Sequence, residues 1–490
     1  MSSLVLEGIG KSYGAVVAVQ GASVEIGPGV IHAIVGENGA GKSTLLKIAA
    51  GVLSPDAGTV RIFGEALAPH TASEAIRRGV AMVQQHFALI GVFTVLENLV
   101  LGAEPATGPF GRLDLPRARV RALEVAGELG VDLPLDARVE TLGVGDRQRV
   151  EIARALMREA RVIILDEPTA VLTPGEATAL YATLRRLADG GRCIVVVTHK
   201  LDEVTAHAGR VTVMRRGRVV YDGARGEGSA AFDPNALAQA IMGGEPPPPI
   251  ARQRGAARPH EASPRLALHG VSAGRALRSV SLEVRAGEIV GIAGVEGNGQ
   301  RELVRVIAGL DEPTEGTMTG GLAAASVVHE DRQAEGLVLD APVGDNLVLG
   351  ELGHFSRFGV LDEHAIVAQG TARAERFDVV PRDLGLPARA LSGGNQQKIV
   401  MARAIARGSA VLVAAHPTRG VDLGAAHAIH TQILEAAGAG AAVLIVSAEL
   451  AELRALSDRI LVMARGAIVA DLPPGSSDAD IGARMIGVTP

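Results

Sequence analysis

Gly36-Glu37-Asn38-Gly39-Ala40-Gly41-Lys42-Ser43-Thr44 decides the reading of this chain. The spacing is G-x-x-x-x-G-K-[ST], a loop whose glycines let backbone N–H groups wrap a phosphate chain. It follows an apolar run, Val30 to Val35, and opens a helical pattern at Leu45, Leu46, Ile48 and Ala49. That strand-then-helix context is what the motif demands, because the helix N-terminus adds partial positive charge at the phosphates. At this chain's frequencies of Gly, Lys and Ser/Thr, chance gives roughly 0.01 such matches. Lys42 is expected to reach the β- and γ-phosphates of a nucleotide and Ser43 to bind Mg²⁺.

Working outward, Arg161-Val-Ile-Ile-Leu-Asp166-Glu167 is an apolar strand ending in two carboxylates. In phosphoryl transfer one carboxylate supports the metal and another group orients the attacking water. Asp166 is therefore the metal candidate and Glu167 the candidate general base. Cys193 to Thr198 forms a third apolar run, and His199 at its end is placed to contact a γ-phosphate. Strands buried on both faces of a parallel sheet read as such short, nearly all-apolar runs. Val150, Ile152, Ala153, Leu156 and Met157 between them keep helical spacing. The fold class is α/β.

The chain carries this pattern twice. Arg149 to Leu156 runs parallel to Lys398 to Ile405, and Leu165 to Thr169 lies opposite Ala414 to Thr418, both at an offset of 249. Gly36 and Gly294 stand 258 apart, so the second copy has a net loss of nine residues between these points. Residues 245–263, opening on Glu245-Pro-Pro-Pro-Pro-Ile250, cannot pack as a helix or central strand and read as a semi-rigid linker. The domains are 1–244 and 264–490.

Composition narrows the function. The 490 residues carry a net charge of −6, no Trp, and only 3 Tyr and 8 Phe, so stacking platforms for single-stranded nucleic acid are not expected. One cysteine, Cys193, excludes an internal disulfide framework. Met1 to Gly10 does not read as a signal peptide. No apolar run approaches the ~20 residues that cross a bilayer. Of the 48 basic residues only 5 are Lys, so each lysine is informative.

With Leu391-Ser-Gly-Gly-Asn-Gln-Gln397 the chain resembles the ATP-binding subunits of ABC transporters in their tandem form. That stretch is similar to the family's LSGGQ signature and stands 24 residues before Ala415, as Leu142 stands 24 before Asp166. The resemblance implies two P-loop ATPase domains in tandem, each with a parallel-sheet core and a helical subdomain. It implies ATP and Mg²⁺ as ligands. Gln85 matches the Q-loop glutamine, which senses the metal, the water and the membrane partner; Gln84 competes for that position. Tyr13 matches the aromatic that stacks on adenine, against the plainer reading of an exposed strand tyrosine.

The two halves depart from the family pattern in opposite ways. The second phosphate loop reads Gly294-Val-Glu-Gly-Asn-Gly-Gln300-Arg301, so lysine and the metal-binding serine are both replaced. Its carboxylate pair has become Ala415-His416, Ala448 stands for His199, and Glu330 falls near the Q-loop position. Ser392, Gly393 and Gly394 of its signature are nevertheless complete. The first half keeps every nucleotide-binding residue but reads Leu142-Gly-Val-Gly-Asp146 at its signature. In this family two domains pair head to tail, each nucleotide lying between one phosphate loop and the other signature. One composite site is then fully furnished and the other is damaged, which implies pairing within the chain and a single hydrolytic site.

The resemblance further implies two separate transmembrane permease subunits, an extracytoplasmic solute-binding protein, and a peripheral place at the cytoplasmic face of a bacterial membrane. The LSGGNQQ form with a degenerate second half is similar to the monosaccharide and nucleoside importer branch, and Val295 to Gln300 leans to its nucleoside members. A soluble tandem ATPase acting on ribosomes or nucleic acid is the alternative, disfavoured by the short Pro-rich linker and negative charge. A regulator without hydrolysis is opposed by Glu167 beside Asp166.

Overall fold

The computed structural model describes residues 2–14, 16–84, 87–107, 112–170, 172–225, 232–245, 250, 252, 263–295, 297–320 and 325–485. It divides into two compact units, Met1–Pro246 and Pro247–Pro490.

In the first unit, β1 (Leu4–Tyr13) and β2 (Val16–Ile26) form an antiparallel pair whose buried-exposed alternation is interrupted by bulges. β4 (Ala57–Ile62) pairs with the other edge of β1. The central sheet has the order β9-β8-β3-β7-β6-β5. Its members are β3 (Ile31–Val35), β5 (Val80–Val83), β6 (Val162–Asp166), β7 (Cys193–Val197), β8 (Arg210–Arg215) and β9 (Arg218–Ala224). β3 and β7 are buried at every residue, the price of helices or a second sheet on both faces. Register places Ile34 and Asp166 level with Val197. The segments following β3, β6 and β7 therefore leave the sheet side by side at its carboxyl edge, where open α/β sheets bind ligands.

Two apolar cores flank this sheet. One joins β1, β2 and β4 to α1 (Lys42–Ala49) through Leu6, Val24, Leu45 and Ile48. The other gathers α2 (Val95–Val100), α3 (Leu115–Leu129), α4 (Val144–Met157) and α5 (Pro174–Asp189) through Leu99, Val125, Ile152 and Leu184. A capping box fixes the start of α2: Glu97 N–H donates to Thr94 Oγ1 at 3.2 Å, and Thr94 N–H donates to Glu97 Oε2 at 2.7 Å. α6 (Leu201–His207) follows β7.

The second unit repeats the plan. β10 (Leu266–Ala273), β11 (Leu277–Val284) and β13 (Glu315–Thr319) form the antiparallel sheet. The central sheet, in the order β14-β15-β16-β12-β17-β18, is built from β12 (Ile289–Ala293), β14 (Ala325–Val328), β15 (Val411–Ala415), β16 (Ala442–Val446), β17 (Arg459–Ala464) and β18 (Ala467–Leu472). α7 (Gln300–Ile307) follows the second phosphate loop, and α8 (Val343–Val348), α9 (Glu363–Arg376) and α10 (Gly393–Ala406) correspond to α2, α3 and α4. Most of the proline-rich stretch lies outside the described residues. Of it, Ile250 packs on the second unit's core, and Arg252 pairs with Asp458 at 2.7 Å.

Candidate functional site

The phosphate loop is a backbone device that tolerates no side chain at two of its glycines. Gly41 has φ 99°, and a Cβ there would lie 2.4 Å from the Ala18 carbonyl oxygen. A Cβ on Gly36 would lie 2.2 Å from the Met214 carbonyl oxygen. β2 and β8 thus press the loop against the start of α1. That helix has no side-chain cap and no acidic residue in its first turn, so its leading N–H groups are left for an anion. Ala40 and Lys42 are buried, while Asn38 and Gly39 form the exposed crest.

Lys42 folds back across the loop. Its Nζ donates to the Gly36 carbonyl at 2.7 Å and to the Glu37 carbonyl at 2.9 Å. Burial lowers its pKa, and Glu167, Asp166 and Glu37 oppose that shift by favouring the charged form. The ammonium is therefore held by weak neutral acceptors within reach of two carboxylates.

The carboxylates divide their roles by environment. Burial, aided by the neighbouring Glu167, raises the pKa of Asp166, and the Ser43 hydroxyl bonded to it pulls the other way. Ser43 and Asp166 are thus a pair of hard oxygen donors already in contact, the donor chemistry Mg²⁺ prefers. Both the burial and the neighbouring Glu167 charge that disfavour the ionised Asp166 are what a bound divalent cation would offset, so the residues fit that metal. Among the described residues there is no cluster of three or more His, Cys, Asp or Glu that could hold a metal ion. Two protein oxygens plus phosphates is the usual way Mg²⁺ is bound beside a nucleotide.

Glu167 behaves oppositely. Its carboxylate lies 3.2 Å from His199 Nδ1, and this hydrogen bond holds its pKa below the ordinary range despite burial. Glu167 adopts φ 46°, and its N–H donates to the Val197 carbonyl at 2.9 Å. A left-handed non-glycine residue stores strain that is usually kept for function. The conformation aims the Glu167 side chain towards the end of β7, where His199 emerges.

The structure thus brings together Lys42, Ser43, Asp166, Glu167 and His199. Tyr13 is half exposed at the end of β1, opposite Val16 of β2, the strand whose Ala18 backs the phosphate loop. Thr44 lies one residue beyond Ser43 in α1, half-buried. Gln84 is exposed after β5, and Gln85 lies outside the described residues. Ser392 caps α10, with Asn395 donating to its Oγ from Nδ2 at 3.0 Å, whereas Gly143 gives α4 no side-chain cap.

The second unit keeps the shape of the loop after losing its chemistry. Gly297 and Gly299 have φ of 90° and 100°, against 81° and 99° at Gly39 and Gly41. Gln300 takes the lysine's place, its Nε2 donating to the Val295 carbonyl at 3.0 Å. His416 has the φ of Glu167, 46°, with the matching bond from its N–H to Val446 at 2.7 Å. Arg301, which in the sequence marks only a lost metal ligand, is engaged, pairing with Glu335 at 2.6 Å. A cavity of about 10 Å³, room for about one water, is what remains between Gln300, Arg301, Glu335 and His416.

Residues 19–170 and 277–419 match the family described as ABC transporter. The chain is similar to the nucleoside import ATP-binding protein NupA of Lactococcus lactis, at 38% identity over 97% of this chain and 96% of that protein. It is similar to the ribose import ATP-binding protein RbsA 1 of Streptomyces avermitilis, at 38% identity over 97% and 92%. It is also similar to the guanosine import ATP-binding protein NupO of Bacillus subtilis, at 38% identity over 98% and 96%.

Proposed function

Because the chain belongs to the ABC transporter family, we propose that it is the ATPase subunit that energises import of a small polar solute, a nucleoside or a simple sugar. The observation that carries this reading is the convergence of Lys42, Ser43, Asp166, Glu167 and His199 at the carboxyl ends of three adjacent parallel strands. The loop amides and Lys42 bind the β- and γ-phosphates. Ser43, Asp166 and Gln85 would hold Mg²⁺, which neutralises phosphate charge when bound. Glu167 takes a proton from the attacking water, and His199 keeps that carboxylate ionised and oriented.

Ser392, Gly393 and Gly394 of the second half are proposed to complete this one competent site. Support comes from the sequence: the losses gather at Gln300, Arg301, Ala415, His416 and Ala448 on one side and at Gly143 on the other. Ser392→Ala is expected to lower kcat about tenfold or more, as removal of a preorganised donor does. Gly143→Ala should leave kcat within about twofold. Equal effects would sink the pairing. Because an N-cap serine is itself worth about 1 kcal/mol, Tm is measured alongside.

No helix among the described residues is long and apolar enough to cross a membrane. The work is therefore proposed to pass to two separate permease subunits, with an extracytoplasmic solute-binding protein delivering the solute, at the cytoplasmic face of a bacterial membrane. The lean towards a nucleoside rests on the Val295–Gln300 stretch, while the relatives include both nucleoside and ribose import proteins. Purification from native membranes should bring permease subunits along. Vesicles holding that complex and ATP should accumulate nucleoside, and ribosomes in the preparation without permeases would overturn the reading.

A further inference from the structure

The two halves differ in length at several places, which sequence alone gives only as a net offset. Val83 and Val328 end equivalent strands, each in parallel register with its neighbour at Leu165 and Ala414. Further on, Ile90 N–H donates to Asn98 Oδ1 at 2.8 Å, and Val338 N–H donates to Asn346 Oδ1 at 2.9 Å. Six residues separate the first pair of landmarks and nine the second. The second half has therefore gained three residues here, and its longer segment contains a single turn of π-helix, Arg332–Gly336, capped by Asp331.

This turn bridges two features of its own unit. On one side Glu335 pairs with Arg301 at 2.6 Å and lies 3.7 Å from Arg305, both on α7 behind the altered phosphate loop. On the other side it is seated along α10, the signature helix. Gln333 Nε2 donates to Gln396 Oε1 at 3.1 Å, and Arg403 Nη2 donates to the Gly336 carbonyl at 2.6 Å. Arg332 Nη1 donates to the Arg419 carbonyl at 3.0 Å. Its guanidinium fills the space where a side chain at Gly393 would stand: a Cβ there would be 2.4 Å from Arg332 Nη2. The first half, with the degenerate signature, has Val144 in place of Gly393.

We propose that the Arg332–Gly336 turn is a positioning element for ATP hydrolysis. The Arg301–Glu335 ion pair fastens it to the altered loop, and Arg332, packed against Gly393, sets the signature Ser392–Gly394 for the first half's nucleotide. Arg301 then has a use that a serine could not serve, since it supplies a fixed cation where an intact site relies on a bound one. The inference rests on the proposed role of Ser392–Gly394 at that nucleotide.

The test is steady-state ATP hydrolysis by the full chain with its permeases. Arg332→Ala is expected to lower kcat about tenfold or more, because small misplacements of groups around a reacting centre cost about that or more. KM for ATP should stay within about twofold and Tm should not move, and Arg332→Lys should recover part of kcat. Glu335→Ala should reduce kcat in the same way, and it decides the matter if Arg332→Ala fails to fold. Unchanged kcat in Glu335→Ala and Arg332→Ala, with Ser392→Ala impaired, overturns this proposal and leaves the composite site standing. No effect of Ser392→Ala overturns the composite site itself. A rise in KM at unchanged kcat also overturns the proposal, because it makes Arg332 a binding group.

Discussion

Glu167→Gln is expected to bind ATP normally and to hydrolyse it at least about 100-fold more slowly, since general base catalysis contributes about 10²–10⁴. Glutamine keeps the size of the side chain and can still accept a hydrogen bond at the position where His199 stands 3.2 Å away. It cannot accept a proton from water. Loop, lysine and metal ligands are untouched, so equilibrium ATP binding should change little while single-turnover hydrolysis collapses. The pH dependence follows with a definite sign. The His199 hydrogen bond lowers the folded pKa of Glu167, so the base is ionised at neutral pH. The stability this bond contributes is present above the unfolded carboxylate pKa and is lost as pH falls through the lower folded value. The acid limb of the parent's kcat profile should lie below the range of an ordinary glutamate and should vanish in the variant. Near-normal turnover would remove Glu167 as the base.

What made the site legible was that its chemistry is local. Gly36–Thr44 contains its own geometry, and the short apolar runs before Asp166 and His199 say which ends of which strands carry them. The contact between Ser43 and Asp166 needs only parallel strands in register, which the runs imply. The Arg301–Glu335 pair was not legible, because its two residues meet only through the fold, 34 positions apart. The net loss of nine residues is the sum of a larger deletion before Val328 and smaller gains after it, three of them before Val338, which only paired strands and matched asparagines separate. β1 and β2 carry bulges that break their alternation, so they did not announce themselves as a hairpin.

Lys42→Gln is expected to lower kcat about 10²–10³-fold, the usual cost of losing one preorganised donor at developing charge. Steady-state hydrolysis and ATP binding measure it. The substitution writes into the first half the residue that the second half already has, so the structure shows what the variant would look like. Gln300 settles on the Val295 carbonyl much as Lys42 settles on those of Gly36 and Glu37, and the loop glycines keep their φ. The loop should therefore survive intact, and the loss should be one of charge. A neutral amide offers no point cation to the γ-phosphate, where the lysine ammonium sits near Glu167 and Asp166 and is favoured by both. The reverse change is asymmetric. Gln300→Lys restores a cation beside Arg301, with Ala415 where a metal carboxylate is needed and His416 where the base is needed. It should leave total hydrolysis within about twofold, because no single residue rebuilds a site in which metal ligands and base are both gone. A clear gain from Gln300→Lys alone would mean that the second half retains a route to hydrolysis that needs neither Asp nor Glu. It would also mean that the chain has two working sites.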